Sequence, residues 1–221
     1  MAAIIVGVLY IVGTIAGVLS VVFTSSIMNA SDYLLKVSAN ENQIVIGALF
    51  VLLMGFALAM IPVFMFPVLK KQNEALALGY VVFRGGLETV TYIVTAISFL
   101  LLLPLSLEYA KAGAPLASSY QTLGTLLRGT TELPMTVFVF SLGALMFYYL
   151  LFRSKLIPRW ISAWGLIAIV MHLSTGFIQL FGLTSSFSSL EVVLNVPIFF
   201  QEMVMAVWLI AKGFNAPAIA S

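Results

Sequence analysis

A carboxylic acid lies within an apolar run near the end of the chain, in the stretch IFFQEMVMAVWLI, where Glu202 follows Gln201. Glu88, with Arg84 four residues before it, and His172 occupy similarly apolar segments. A carboxyl group can bind and release a proton or hold a cation, and an imidazole can accept or donate a proton. Because an unpaired charge in an apolar interior is costly, these residues predict either a functional site or paired structural groups.

Polar side chains recur along one face of three apolar segments, at spacings of three, four or seven residues. Such spacings place side chains on the same side of a helix. Because lipid offers no hydrogen-bonding partners, we expect the three faces to point towards one another and to form a polar layer. The rise of about 1.5 Å per residue puts Glu88, His172 and Glu202 at a similar depth. The predicted ligand- or ion-binding residues are Arg84, Glu88, Thr91, Thr95, His172, Asn195 and Glu202.

Two more polar residues extend these faces. Gln179 follows His172 by seven residues, and Glu191 precedes Asn195 by four. Gln201 directly precedes Glu202, but the helical repeat rotates it off the face that Glu202 shares with Glu191.

Each of these groups also has a structural interpretation. Glu202 can be a protonated carboxyl that is hydrogen-bonded to a neighbouring helix, and the arginine and glutamate of the third segment can form a structural ion pair. His172 can be a hydrogen-bonding residue between helices. Arg128 and Glu132, also four residues apart, are predicted to form a solvated pair at the outer face of the membrane, with an outer gate as the functional alternative.

The composition predicts an integral membrane protein. Of the 221 residues, 62% are hydrophobic and 8% are charged, whereas a soluble domain averages about 25% charged residues. The net charge of +2 gives no basic field for nucleic acid. With no cysteine and one histidine, we expect no metal site, and no cofactor is indicated. Motifs of hydrolases, zinc peptidases and nucleotide-binding enzymes are absent from the sequence, which does not favour an enzyme.

Six segments are long and apolar enough to cross a bilayer core of about 30 Å. We predict an all-α polytopic fold, a bundle of six transmembrane helices in one integral membrane domain covering residues 1–221. Pro134 suits the start of the fourth helix, and Pro62 and Pro67 are expected to bend or end the last turns of the second. The predicted spans are residues 2–23, 44–69, 75–107, 133–152, 160–182 and 190–212.

Two segments between the spans are too polar to cross a membrane. Residues 31–40 are predicted to form a short helix on the outer surface, with Ser31 as a candidate N-cap. Residues 118–131 have the pattern of an amphipathic helix broken at Gly129, and the sequence leaves open whether this helix lies on the membrane or dips into it.

The distribution of basic residues predicts the orientation. If the spans alternate, six of the ten basic residues fall on one side, while Lys36 and Lys111 accompany the acidic residues of the opposite side. Basic loops stay in the cytoplasm, so both termini are expected to be cytoplasmic. The six residues are Lys70, Lys71, Arg153, Lys155, Arg159 and Lys212.

Small residues on the first span predict close helix contact. Gly13 and Gly17 form a GxxxG pattern, which allows two helices to approach closely in lipid. The contact can lie within the chain or can join copies of it in a homo-oligomer. Membrane lipid is the other expected partner.

Several stretches carry a resemblance to a known family: LALGYVVFRGGLE, LGALMFYYLLFRSKLIPRWISAWGLI and QEMVMAVWLIAKGFN, with SANENQIVIGALF and AGAPLASSYQTLGTLL in agreement. The chain resembles small bacterial membrane proteins catalogued as domain of unknown function 4386. The resemblance implies a six-helix protein of the bacterial inner membrane. It implies no activity, substrate or cofactor.

Three functions follow as hypotheses. The polar layer can bind or transport a small ligand or ion between the third, fifth and sixth spans. Alternatively, the protein is an accessory or scaffold protein whose buried polar groups fix helix packing. A third hypothesis is an intramembrane enzyme acting on lipid, which requires a cavity that opens sideways to the bilayer.

Overall fold

The computed structural model describes residues 1–112, 114–183 and 188–215, and only the backbone of residues 114, 115 and 132. The described chain is helical and contains no strand. A short π-helix, Val81–Leu87, joins two of the α-helices. The α-helices are α1 (Ala2–Met28), α2 (Tyr33–Ala39), α3 (Glu41–Leu69), α4 (Glu74–Tyr80), α5 (Glu88–Lys111), α6 (Ala114–Glu132), α7 (Met135–Ser154), α8 (Arg159–Leu180) and α9 (Ser189–Ala211).

Within the described residues, six helical stretches are long and apolar enough to span a membrane. They carry many exposed aliphatic and aromatic side chains, Val22, Ile167 and Phe56 among them, as lipid-facing helices do. The all-α polytopic fold is thereby confirmed, and the protein is a multi-pass membrane protein. The six stretches are Ala2–Met28, Glu41–Leu69, Glu74–Lys111, Leu116–Ser154, Arg159–Leu180 and Ser189–Ala211.

Contacts within the chain group it into two compact units. The first unit consists of Met1–Gly13, Phe56–Thr89 and Pro134–Ser221, and the second consists of Thr14–Gly55 and Val90–Leu133. The single integral domain over residues 1–221 stays a prediction.

Glycines allow the helices of the first unit to pack closely. A Cβ atom on Gly7 would lie 2.6 Å from the carbonyl oxygen of Ala206, and one on Gly13 would lie 2.7 Å from Cδ2 of Leu58. In this unit α7 packs on α4 and α8, and α8 packs on α9. The ring of Tyr80 in α4 stacks on the ring of Phe147 in α7, with the ring centroids 4.6 Å apart. The sequence pattern of small residues therefore serves contacts within the chain.

The second unit has its own apolar core, which includes Ile44, Val51 and Leu102. Gly17 belongs to this unit, and a Cβ atom there would lie 2.7 Å from Sδ of Met54. The two short helices predicted between the spans, α2 and α6, also belong here.

Two local predictions in the second unit are wrong. Ser31 does not cap α2, because the helix begins at Tyr33 with Asp32 at the N-cap position. The helix α6 is not broken at Gly129 but continues to Glu132. A single glycine weakens a helix without ending it, whereas Pro134 disfavours helical geometry at the residue before it. The break therefore falls at residue 133.

Local signals set the helix ends that surround the polar residues. The side chain of Asn73 accepts a hydrogen bond of 2.9 Å from the backbone of Leu76 and starts α4. The hydroxyl of Ser188 accepts from the backbone of Glu191 at 3.3 Å and starts α9. Both are N-caps of the usual type. Pro62 lies inside α3, which continues past it.

Candidate functional site

The third predicted span is interrupted by the π-helix, and Arg84 lies within it. A π-helix closes its hydrogen bonds over five residues instead of four; it is rare, and many examples lie at functional sites. Here it contains consecutive glycines, Gly85 and Gly86, and a Cβ atom on Gly85 would lie 3.2 Å from Cγ of Pro62. The close approach of α3 thus requires a small residue one position after Arg84.

Arg84 forms the centre of a buried charge cluster. Its Nη1 atom donates to both carboxylate oxygens of Glu88, at 2.7 and 3.0 Å. Its Nη2 atom donates to Oε1 of Glu202 at 3.3 Å, across 118 positions of the sequence. We call Arg84, Glu88 and Glu202 the Arg84 cluster. Two of the three helical segments that were expected to share a polar layer therefore meet at one guanidinium group.

The two carboxyl groups of the Arg84 cluster are not equivalent. Glu88 has two short contacts and a side chain that is 1% exposed, whereas Glu202 has one longer contact and is 15% exposed. One guanidinium carries a single positive charge, so two ionised carboxylates would leave one negative charge uncompensated in an apolar interior. The geometry therefore marks Glu202 as the carboxyl group that can hold a proton or a cation.

Aromatic side chains surround the Arg84 cluster in the first unit. The Cζ atom of Arg84 lies 4.4 Å from the ring centroid of Phe140 and 5.9 Å from that of Tyr10. Tyr10, Tyr80 and Tyr148 also belong to this unit, and their side chains are almost completely buried. An aromatic wall excludes water and strengthens every charge interaction inside it.

His172 is bonded to α9. Its Nδ1 atom lies 2.7 Å from Oδ1 of Asn195, and because an amide oxygen only accepts, Nδ1 is the donor of this hydrogen bond. The edge of the imidazole meets the ring of Phe140, with centroids 5.1 Å apart and planes at 80°. Phe140 thus contacts both His172 and the guanidinium of the Arg84 cluster.

A second polar pair crosses between the same two helices. Nε2 of Gln179 donates a short hydrogen bond to Oε1 of Glu191. Together with His172 and Asn195, these residues form what we call the α8–α9 polar ladder. Its members are those that the helical spacing placed on facing sides of the two helices.

Gln201 is the buried residue whose role the spacing did not reveal. The hydroxyl of Tyr148 donates to Oε1 of Gln201 at 2.6 Å, and Nε2 of Gln201 donates to the backbone oxygen of Ile161 at 3.1 Å. This one side chain joins α7, α8 and α9. Gln201 is fully buried, and its only sequence signal was a polar amide in an apolar run.

The remaining predicted site residues lie in the second unit or partly outside the described structure. Thr91 and Thr95 belong to the second unit, where Oγ1 of Thr95 donates to the backbone oxygen of Thr91 at 3.1 Å. Arg128 lies over the ring of Tyr33, 5.5 Å from its centroid. The side chain of Glu132 is outside the described residues, so the outer gate stays a prediction.

A family model described as domain of unknown function (DUF4386) matches residues 5–213. No curated protein and no solved structure matches the chain. Among the described residues, no group of three or more histidine, cysteine, aspartate or glutamate side chains is arranged to hold a metal ion.

Proposed function

We propose a function for this chain, which belongs to the family described as domain of unknown function 4386. The proposal is that this multi-pass membrane protein binds and releases a proton at Glu202. The observation that carries the proposal is the sharing of one guanidinium, that of Arg84, by two carboxyl groups. The proposed class of function is ion binding. Membrane transporters use ion-binding carboxyl groups to couple the movement of a substrate to an ion gradient.

Charge balance assigns the roles. Arg84 and Glu88 form a tight ion pair that remains charged, because their short contacts offset the cost of burying the two charges. A proton on Glu202 makes the Arg84 cluster neutral, and loss of that proton leaves one negative charge. A small cation can replace the proton, since the same negative charge would hold it. Glu202 is the member that changes its protonation in this proposal, because it has one longer contact with Arg84 and is the more exposed of the two carboxyl groups.

Replacing Glu202 with Gln tests this function directly. The amide keeps the volume and can still accept from Arg84, but it cannot bind a proton. Infrared difference spectra of the purified protein, taken between mildly acidic and mildly alkaline pH, are expected to contain a protonated-carboxyl band in the wild type. We expect Glu202→Gln to abolish that band while leaving the helical content unchanged.

Glu74→Gln is the matched control, because it makes the same chemical change at an exposed position in the first turn of α4. It is expected to leave the carboxyl band in place. If the band persists in Glu202→Gln, or is missing from the wild type throughout this pH range, Glu202 does not exchange a proton. Proton flux into liposomes that carry each variant then distinguishes binding alone from transport.

The same proposal includes the orientation of the protein. It lies in the inner membrane of the cell, and both termini face the cytoplasm. The chain contains no cysteine, so single cysteines report on sidedness without background. A membrane-impermeant maleimide is expected to label Ser118→Cys in intact cells and to label Lys71→Cys only after permeabilisation. The opposite pattern would invert the topology.

A scaffold function is the second candidate, favoured by the junction of Gln201 with Tyr148 and Ile161. That junction joins three helices through polar bonds and has no exposed atom for a ligand. In this case Glu202→Gln leaves function intact. Association of copies through another small-residue face stays a prediction, and chemical cross-linking in membranes measures it.

A further inference from the structure

The α8–α9 polar ladder runs along the facing sides of two antiparallel helices. Its first pair joins Gln179 to Glu191 and its second joins His172 to Asn195, so the residue numbers fall on α8 while they rise on α9. Buried interhelical bonds of this kind are expected where a helix pair carries polar groups in lipid. Two consecutive polar levels on the same helix pair form a polar path along its length.

The path begins at a cavity beside the first turns of α9. The cavity is open to the outside, has a volume of about 260 Å³ and is lined by α9 alone, through Glu191, Val192, Asn195, Val196 and Phe199. Since one water molecule takes about 30 Å³ in the liquid, there is room for several. Two of the five lining residues, Glu191 and Asn195, are members of the ladder. A carboxylate at the mouth of a cavity with apolar walls attracts cations and repels anions.

The same face of α9 leads from the cavity to the Arg84 cluster. Glu191, Asn195 and Glu202 are separated by four and seven residues, which keeps them on one side of the helix. At about 1.5 Å per residue, Glu202 lies about 16 Å along the axis from Glu191. That distance is about half the thickness of a bilayer core.

Phe140 contacts both the α8–α9 polar ladder and the Arg84 cluster. The edge of His172 meets its ring at 5.1 Å, and the guanidinium of Arg84 lies 4.4 Å from its centroid. The side chain is 8% exposed. An aromatic ring at this point supplies no hydrogen bond along the path, so a proton or cation that passes it must wait for the ring to move.

We infer that the cavity at Glu191 and Asn195 is a cation entrance to Glu202, opening at the membrane face that holds the α8–α9 connection, and that Phe140 is its gate. The ligand class is a proton or small hydrated cation. The inference rests on the proposed exchange at Glu202 for its destination, whereas the entrance can be tested without it.

The entrance is tested by thiol chemistry in the cysteine-free chain. Val196→Cys places a thiol at the cavity wall, and the probes are an ammonium-bearing and a sulfonate-bearing methanethiosulfonate of similar size. The cationic probe is expected to react faster, and adding Glu191→Gln is expected to reduce the ratio of the two rates by about tenfold. Val193→Cys, on an exposed face of α9 that does not line the cavity, is the matched control and should show no such ratio.

The gate is tested by the rate at which the Glu202 carboxyl band follows a rapid change of pH. Phe140→Ala is expected to speed this exchange by about tenfold, which corresponds to removing a barrier as large as one aromatic contact. Phe140→Leu, which keeps more of the volume, should lie between the wild type and Phe140→Ala. Because Glu202 remains in both variants, the carboxyl band itself should still be present, and the measured quantity is its rate of change.

The outcomes separate this inference from the function on which it rests. Equal rates for the two probes, or a ratio that does not respond to Glu191→Gln, would overturn the entrance. A normal band with an unchanged exchange rate in both Phe140 variants would overturn the gate. A missing band in the wild type would instead overturn the exchange at Glu202 and the gate with it, while the thiol measurement would still decide the entrance.

Discussion

Arg84→Met is expected to lower the free energy of unfolding by about 3–5 kcal/mol, the usual cost of removing one partner from a buried ion pair. The methionine replaces the aliphatic part of the arginine side chain but leaves the carboxyl groups of Glu88 and Glu202 without the guanidinium that contacts both. It also removes the cation from the face of Phe140. Denaturant unfolding of the purified protein in detergent, compared with the wild type, measures the loss.

The triple variant Arg84→Met with Glu88→Gln and Glu202→Gln is the informative control. It removes the two carboxyl charges together with the guanidinium, so most of the lost stability should return. Arg84→Lys should fall in between, because lysine keeps the charge but cannot contact two carboxyl groups with a planar fork. If Arg84→Met alone is as stable as the wild type, the Arg84 cluster does not hold these helices together.

Gln201→Leu is expected to produce the second large effect. It leaves the hydroxyl of Tyr148 without its acceptor and the backbone oxygen of Ile161 without this donor. A buried polar group that loses its partner costs about 1–3 kcal/mol, and the hydroxyl carries most of that cost because the carbonyl has a second donor in its own helix. Thermal unfolding in detergent provides the measurement.

Two variants identify the cause of that effect. Gln43→Leu makes the same change at an exposed position of α3 and is expected to have little effect. The double variant Gln201→Leu with Tyr148→Phe removes the orphaned hydroxyl and should be more stable than Gln201→Leu alone. If the double variant is the less stable of the two, the hydrogen bond is not the source of the loss.

The architecture could be predicted because a membrane constrains it strongly. Backbone groups in lipid must be paired within the helix, and the bilayer thickness fixes the length of each span. The apolar composition and the segment lengths therefore predicted six helices, and the family resemblance, now confirmed over residues 5–213, pointed the same way. Spacing also placed Arg84 beside Glu88, because residues four apart are neighbours on an α-helix, and the two side chains are in contact although Arg84 lies in a π-helix.

Helix boundaries show where such local rules stop. The spacing argument assumed that the third span is one regular α-helix. A π-helix occupies residues 81–87 instead, and it changes the angle about the helix axis between Tyr80 and Glu88. Gly129 suggested a break in α6, whereas the adjacent proline position decided the true end. In both places the glycines are compatible with more than one backbone conformation. The π-helix occurs where Pro62 of α3 approaches Gly85, and α6 ends just before Pro134.

Composition and segment length were enough to predict the class of protein and the six stretches able to span a membrane, and helical spacing predicted which side chains share a face. The packing of the helices was needed to show that Glu202 pairs with Arg84, that His172 bonds to Asn195 and that Gln201 joins three helices. The physical reason is that helical periodicity fixes directions around one axis, while the choice of partner depends on how separate axes pack. In an apolar bundle that choice is made by close contacts, such as that of Gly165 with the ring of Tyr148.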